Sequence, residues 1–451
     1  MSQSTDTGRR QVLAAGSAFA LSLMARGLGA TSATGASSDA ARREFPRGFL
    51  WGAATAGHQV EGNNVNADVW LLEQVKPSLF VEPSGDACDS LNRWNEDLDL
   101  VRDIGLNTYR FSLEWCRIEP APGEFSIAML DHYKRMIEGC RERHLTPVVT
   151  FNHFSAPRWF AAAGGWEVPG AEDHFARYCE RAARHLAGGI GYATTLNEPN
   201  LLRLLKWLSL PFPASMAETQ RAMLAAAARA SGSERYSAAN AGDAEAMFSR
   251  MIAGHRAGYA AIKAARPDLP VGVSLALIDD QAVGGPGSRR DEKRREVYAA
   301  WLEAARTAGD FIGVQNYTRQ RLDARGPLAP PEGAELTQTG EEFYPASLEG
   351  AIRYAHAATG LPVLVTENGI ATTDDTRRAA YIPAAVAGVG RALADGIPVL
   401  GYIHWSLLDN FEWIFGYKPR YGLVAVDHQT FQRTVKASAA VLGALARRNG
   451  P

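Results

Sequence analysis

Two glutamates in this sequence stand where an acidic residue is costly. Glu198 follows the apolar, β-rich run Tyr192–Asn197, and Glu367 closes a second such run, Pro362–Glu367. A carboxylate at the end of a buried strand costs free energy unless it is paired or used. Either glutamate alone fits a salt-bridged structural residue equally well. Together they fit a pair facing one cavity, in which one carboxyl protonates a leaving oxygen and the other, roughly 5–5.5 Å away, attacks an anomeric carbon. Such a pair needs opposite environments. The acid must keep its proton, through apolar surroundings or the charge of its partner, and the nucleophile must stay ionised.

The elements that would position these groups form an alternation of short β-rich runs and longer amphipathic segments, the pattern of βαβ units around a parallel sheet. The candidate strands are Phe49–Thr55, Asn107–Ser112, Pro147–Asn152, Tyr192–Asn197, Pro270–Leu275, Phe311–Asn316, Pro362–Glu367 and Val399–Trp405. Between the second and third, Leu130, Tyr133, Ile137 and Cys140 recur at three- and four-residue spacing and mark one buried helical face. Eight such units predict a single (β/α)8 TIM barrel with elaborated βα loops, whose site lies at the C-terminal ends of the strands. Ser209–Asp243 reads as an elaborated loop or lid after the fourth strand, and Gly284–Arg290 as a second, flexible turn.

With 451 residues, 46% of them hydrophobic, 21% charged and a formal net charge of -2, the chain has ample core and no basic footprint for nucleic acid. A neutral small-molecule partner fits better. The 10 Trp and 14 Tyr exceed what the core requires, and flat aromatic faces stack on sugar C–H surfaces. Cys88, Cys116, Cys140 and Cys179 have neither metal-ligand spacing nor the density of a disulfide scaffold. They read as buried thiols, with room for one disulfide after export; no metal and no cofactor is expected. Arg9 and Arg10 precede a short apolar run, Val12–Ala25, and then the small-residue stretch Gly27–Ala40. That order is a signal peptide pattern of twin-arginine type. It divides the chain into residues 1–40, removed on export, and a catalytic domain, 41–451, that leaves no membrane anchor and is periplasmic or extracellular. The oligomeric state is not legible.

The chain resembles glycoside hydrolase family 1, the β-glucosidase family, from Phe45 to Ser438. The resemblance rests on FLWGAATA at Phe49–Ala56, QVEG at Gln59–Gly62, YRFS at Tyr109–Ser112, TLNEP at Thr195–Pro199, VTENG at Val365–Gly369 and WSLLDNFEW at Trp405–Trp413. It implies a retaining hydrolase of terminal β-linked sugars, with Glu198 as general acid/base and Glu367 as nucleophile. Arg110 and Tyr317 would attend the nucleophile, and Asn197 would donate to the sugar 2-hydroxyl. Gln59, His153, Trp405, Glu412 and Trp413 would line the sugar subsite, with Gln59 and Glu412 forking onto the 3-, 4- and 6-hydroxyls and Trp405 as the platform. The family's 6-phosphoglycosidases carry Ser and Lys where this chain has Glu412 and Pro419, so an unphosphorylated sugar is expected.

This chain departs from the family pattern at several points. His58 replaces a usual Tyr, Phe154 a usual Trp and Tyr421 a usual Phe, and the family's Asn-Tyr-Tyr stands as Gln315, Asn316, Tyr317. The loops after the fourth and fifth strands lack the usual patterns, which leaves the leaving-group side the least legible part of the site. Three functions are open at this stage. They are a hydrolase releasing glucose, galactose, fucose or mannose, a transglycosylase using the same intermediate, and a non-catalytic sugar-binding barrel. Retention of both glutamates disfavours the last.

Overall fold

The computed structural model describes residues 45–208, 215–238 and 241–451. The expected signal segment, residues 1–40, lies outside them. Eight parallel strands close into a barrel: β1 (Leu50–Ala54), β2 (Thr108–Ser112), β3 (Thr146–Asn152), β4 (Tyr192–Asn197), β5 (Val271–Ala276), β6 (Phe311–Asn316), β7 (Val363–Asn368) and β8 (Val399–Trp405). Each strand pairs with its sequence neighbours, and β1 closes on β8 in the register Ala54↔Trp405. The eight strands coincide with the runs read from sequence to within one residue at each end. One close approach makes the closure: a Cβ on Gly401 of β8 would stand 2.5 Å from Leu50 Cβ of β1, so only glycine fits there.

A long helix follows every strand, in order Ser90–Ile104, Ile127–Glu142, Ala171–Leu186, Ala244–Ala265, Ala300–Thr307, Ser347–Thr359, Asp375–Ala394 and Ala437–Arg448. The second shows how sequence dictates the layer. Ser126 caps it by accepting from Met129 N–H, and Leu130, Tyr133, Ile137 and Cys140 turn inward, as their spacing predicts. All four cysteines are buried free thiols. Burial pushes them up, Cys140 to about 12, so none is poised to react. No helix among the described residues is long and apolar enough to cross a membrane.

The segment Ser209–Asp243 is corrected by the structure. It carries a helix, Met216–Ser231, whose Met223, Ala226 and Ala227 pack on Leu71, Leu72 and Val75 in a small second core. An alanine-rich run has high helix propensity, so reading alanine and serine as loop composition misled; residues 209–214 and 239–240 lie outside the described part. The Gly284–Arg290 turn does exist. Gly284 and Gly285 take φ of +80° and +85°, and Ser288 donates to Leu322 O. Two short sheets were not foreseen, Asp279–Ala282 with Arg319–Leu322 and Val424–Val426 with Arg433–Val435.

At the N-terminal end of the barrel, Trp51 of β1 closes the core. Its ring stacks on Phe45 at 5.4 Å, tilts against Phe49 at 4.9 Å, and donates Nε1–H to Asn449 Oδ1 at 3.0 Å. Trp51→Ala should therefore cost about 3–5 kcal/mol, and Trp51→Phe, which keeps a ring and loses the donor, clearly less. Urea unfolding midpoints check this. Equal midpoints for the two variants would contradict the packing account.

Candidate active site

The groups singled out in the sequence converge at the C-terminal mouth of the barrel. Arg110 comes from β2, His153 from the end of β3, Asn197 and Glu198 from the end of β4, Tyr317 from just past β6, Glu367 from β7 and Trp405 from β8. Gln59 lies on a helical turn after β1, while Glu412 and Trp413 follow β8. Parallel strands deliver their ends to one face, so residues far apart in sequence meet there.

Glu367 is 4% exposed and held on both oxygens. Arg110 Nη1 and Gln315 Nε2 donate to Oε1 at 2.5 and 2.8 Å, and Tyr317 Oη donates to Oε2 at 2.6 Å. Arg110 in turn donates from Nη2 to Asn197 Oδ1 at 2.6 Å and from Nε to Thr150 Oγ1 at 3.2 Å. Gln315 was noted in the sequence only as a departure. A neutral amide inside a strand offered no signal that could have recruited it; its bonds to Asn197 and Glu367 do.

Glu198 is arranged differently. Its N–H donates to Ser274 O of β5 at 2.8 Å, and its φ of +45° lifts the residue out of the ladder. For a residue with a side chain that conformation costs about 1–3 kcal/mol and persists only where the surroundings impose it. Among the described residues no side chain donates to its carboxylate. Burial pushes the Glu198 carboxyl well above the usual range, the charge of Glu367 pushes it further, and Arg110 opposes both. Burial also raises Glu367, but Arg110 and Tyr317 work against it. The larger rise belongs to Glu198, since the guanidinium and the two further donors all favour the charged form of Glu367.

Around this pair stands a polar and aromatic wall. His153 stacks on Trp405 at 5.6 Å, and its Nε2 lies 3.2 Å from Asn197 Nδ2. Trp405 Nε1 and Gln59 Nε2 approach the two oxygens of Glu412, both at 3.4 Å. Gln59 Nε2 also donates to Asn410 Oδ1 and Phe411 O, so its carbonyl oxygen is the part left free. Trp413 stacks on His58 at 5.6 Å and meets the edge of Phe154 at 5.3 Å. His58 is thereby accounted for. Burial works against its charge, but the 2.7 Å contact with Glu73 outweighs that and holds the imidazole above its ordinary value.

Three buried polar atoms of this wall have no partner: Gln59 Oε1, His153 Nδ1 and Gln315 Oε1. Each such group costs about 1–3 kcal/mol until something hydrogen-bonds to it. A ligand rich in hydroxyls supplies the missing partners, whereas an apolar one would leave them unmet. The electrostatics can be checked through Tyr317→Phe. Removing a donor that favours charged Glu367 raises its pKa, so with Glu367 as the nucleophile the acidic limb of the pH–rate profile should move to higher pH. An unmoved acidic limb would contradict the assignment.

The chain is similar to known proteins over most of its length. The model of glycosyl hydrolase family 1 matches residues 41–257 and 305–451. A β-glucosidase of Agrobacterium sp. is 32% identical over 89% of this chain and 95% of its own length. Among solved structures, the apo β-glucosidase 1317 superposes with a TM-score of 0.86 at 46% identity, covering 90% of this chain and 99% of that one. The β-glycosidase BGL167 does so with 0.85 at 51% identity, covering 90% and 98%. Motifs, closed barrel and family match together place the chain in glycosyl hydrolase family 1, and it is an O-glycosyl hydrolase.

Proposed function

We propose that the protein is a retaining β-glucosidase in which Glu367 attacks the anomeric carbon while Glu198 protonates the departing oxygen. The observation that carries the assignment is the asymmetry of the pair, three donors on Glu367 and none from the described side chains on Glu198. A carboxylate so held is the ionised nucleophile, and an unsupported one beside it keeps its proton. Attack on the sugar forms a glycosyl–Glu367 ester as the glycosidic C–O bond breaks. Glu198, now deprotonated, takes a proton from water, which cleaves the ester and releases the sugar with its configuration retained. As Glu367 loses its charge on esterification, the Coulombic push on Glu198 falls, which favours its switch from acid to base.

Arg110, Gln315 and Tyr317 hold the nucleophile in register. Asn197 serves the 2-hydroxyl. Gln59 and Glu412 take the outer hydroxyls, with His153, Trp405 and Trp413 completing the sugar subsite. Glucose is supported by the β-glucosidases among the relatives. Glu412, a carboxylate where a phosphate would need a cation, supports an unphosphorylated ring.

Two variants separate the roles. Glu367→Ala should abolish turnover of every glycoside by a factor of about 10⁴ or more, and azide should restore activity with an inverted product. Glu198→Ala should spare dinitrophenyl glycosides, whose phenolate leaves unaided, far more than alkyl glycosides, and azide rescue there should retain configuration. Near-normal activity in Glu367→Ala would refute the assignment. Export is a separate proposal, supported by Arg9, Arg10 and the run Val12–Ala25. The mature protein should be soluble and begin between residues 30 and 42. N-terminal sequencing of exported protein tests it, and an intact Met1 would overturn it.

A further inference from the structure

We propose that Asn368, the residue after the nucleophile, is a positioning residue that holds the backbone around Tyr317 and so fixes the bond from Tyr317 to Glu367. The inference rests on the reading of Glu367 as the nucleophile. The barrel is irregular at this point. Between β6 and β7 the register runs Val314↔Val365 and then Gln315↔Glu367, so Thr366 is an extra residue on β7. Such a bulge re-aims the side chains beyond it and interrupts the ladder that would otherwise fix the register. Glu367 and Asn368 are the residues beyond it, opposite Gln315 and Asn316.

Side chains take over where the ladder is interrupted. Asn368 is buried, and its amide is fully used: Nδ2 donates to Asn316 O at 2.7 Å and to Tyr381 Oη at 3.0 Å, while Oδ1 accepts from Tyr402 Oη at 3.0 Å. Tyr381, on the helix Asp375–Ala394, in turn donates to Tyr317 O at 3.4 Å. The carbonyls on both sides of Tyr317, those of Asn316 and of Tyr317 itself, are therefore held, one by Asn368 and one through Tyr381. Asn316 adds a further hold. Its Nδ2 donates to Leu277 O at 2.8 Å and to Thr318 O at 3.0 Å, and its Oδ1 accepts from Ser347 Oγ at 2.7 Å.

These bonds close a ring. Tyr317 Oη donates to Glu367 Oε2 at 2.6 Å, the backbone beside Tyr317 is bonded to Asn368, and Asn368 is joined by one peptide bond to Glu367. A buried position that only had to be filled would take an apolar side chain at little cost, because replacing both partners of a buried hydrogen bond by apolar groups of the same shape is nearly neutral. A network with every donor and acceptor met instead selects one arrangement. Here that arrangement sets the distance between a hydroxyl and the carboxylate it keeps charged, and a displacement of about 1 Å near reacting groups costs about 10²-fold in rate.

The test begins with Asn368→Ala, which removes all three bonds of the amide. With active sites counted by titration with a 2-fluoro glucoside, kcat should fall about 10²-fold while KM changes by less than about three-fold. The acidic limb of the pH–rate profile should move to higher pH, because a loosened Tyr317 favours charged Glu367 less. In a Tyr317→Phe background the same substitution should cost at most about three-fold, since residues that act through one another are not additive. Tyr381→Phe keeps the ring against Phe343 and loses the bond to the Tyr317 carbonyl, so it should show the same changes at about ten-fold. That variant decides the matter if Asn368→Ala does not fold. An unmoved acidic limb in Tyr381→Phe, or additive losses in the double variant, would overturn the clamp. Wild-type protein in which the 2-fluoro glucoside does not label Glu367 would sink the reading of the nucleophile and this inference with it. Label on Glu367 together with unmoved acidic limbs in the variants would sink the clamp alone.

Discussion

Arg110 lies at the centre of the barrel mouth with its charge fully buried, and its contacts reach across the fold. From β2 its guanidinium meets Thr150 on β3, Asn197 on β4, and both Glu367 and the Thr366 carbonyl on β7. Removing a guanidinium from water costs several kcal/mol unless its donors are met in good geometry. Here the strand ends meet them, so the position of this one ion requires the barrel to close with these four strands in these registers. The same contacts set the chemistry. A buried cation next to Glu367 favours its anionic form, and that anion, together with burial, favours the protonated form of Glu198. One ion pair thus joins β2 to β7 and, in the proposed mechanism, biases the protonation of both carboxyls.

The surroundings extend that logic outward. Glu412, buried behind Trp405, and Glu73, buried behind His58, show that acidic groups here are tolerated where an indole or imidazole N–H approaches them. His58 with Glu73 supports one face of Trp413, a role that follows from stacking and burial, without contact to the carboxylate pair. Of the buried polar atoms left without partners, Gln59 Oε1 and Gln315 Oε1 belong to side chains that bond Glu412 and Glu367. Unmet hydrogen-bonding capacity is expected at a site completed by its ligand.

The strands were legible because buried parallel strands are dense apolar runs, and the two glutamates stood out because a charge ending such a run is conspicuous. Gln315 was not, since a neutral amide in a strand carries no such signal; only its side-chain bonds to Asn197 and Glu367 reveal it. The helix Met216–Ser231 escaped notice for a different reason. Its buried face is mostly alanine and packs on Leu71, Leu72 and Val75, far away in sequence, so no strong apolar periodicity marks it.

The central claim is that the donors gathered on Glu367 make it the nucleophile. Its most direct test is mechanism-based labelling with a 2-deoxy-2-fluoro-β-glucoside carrying a good leaving group, followed by peptide mapping of the inactivated protein. The account predicts one equivalent of label, in the peptide spanning Val363–Asn368 and on Glu367. Label on Glu198, or prompt inactivation with Glu367 unmodified, would contradict it.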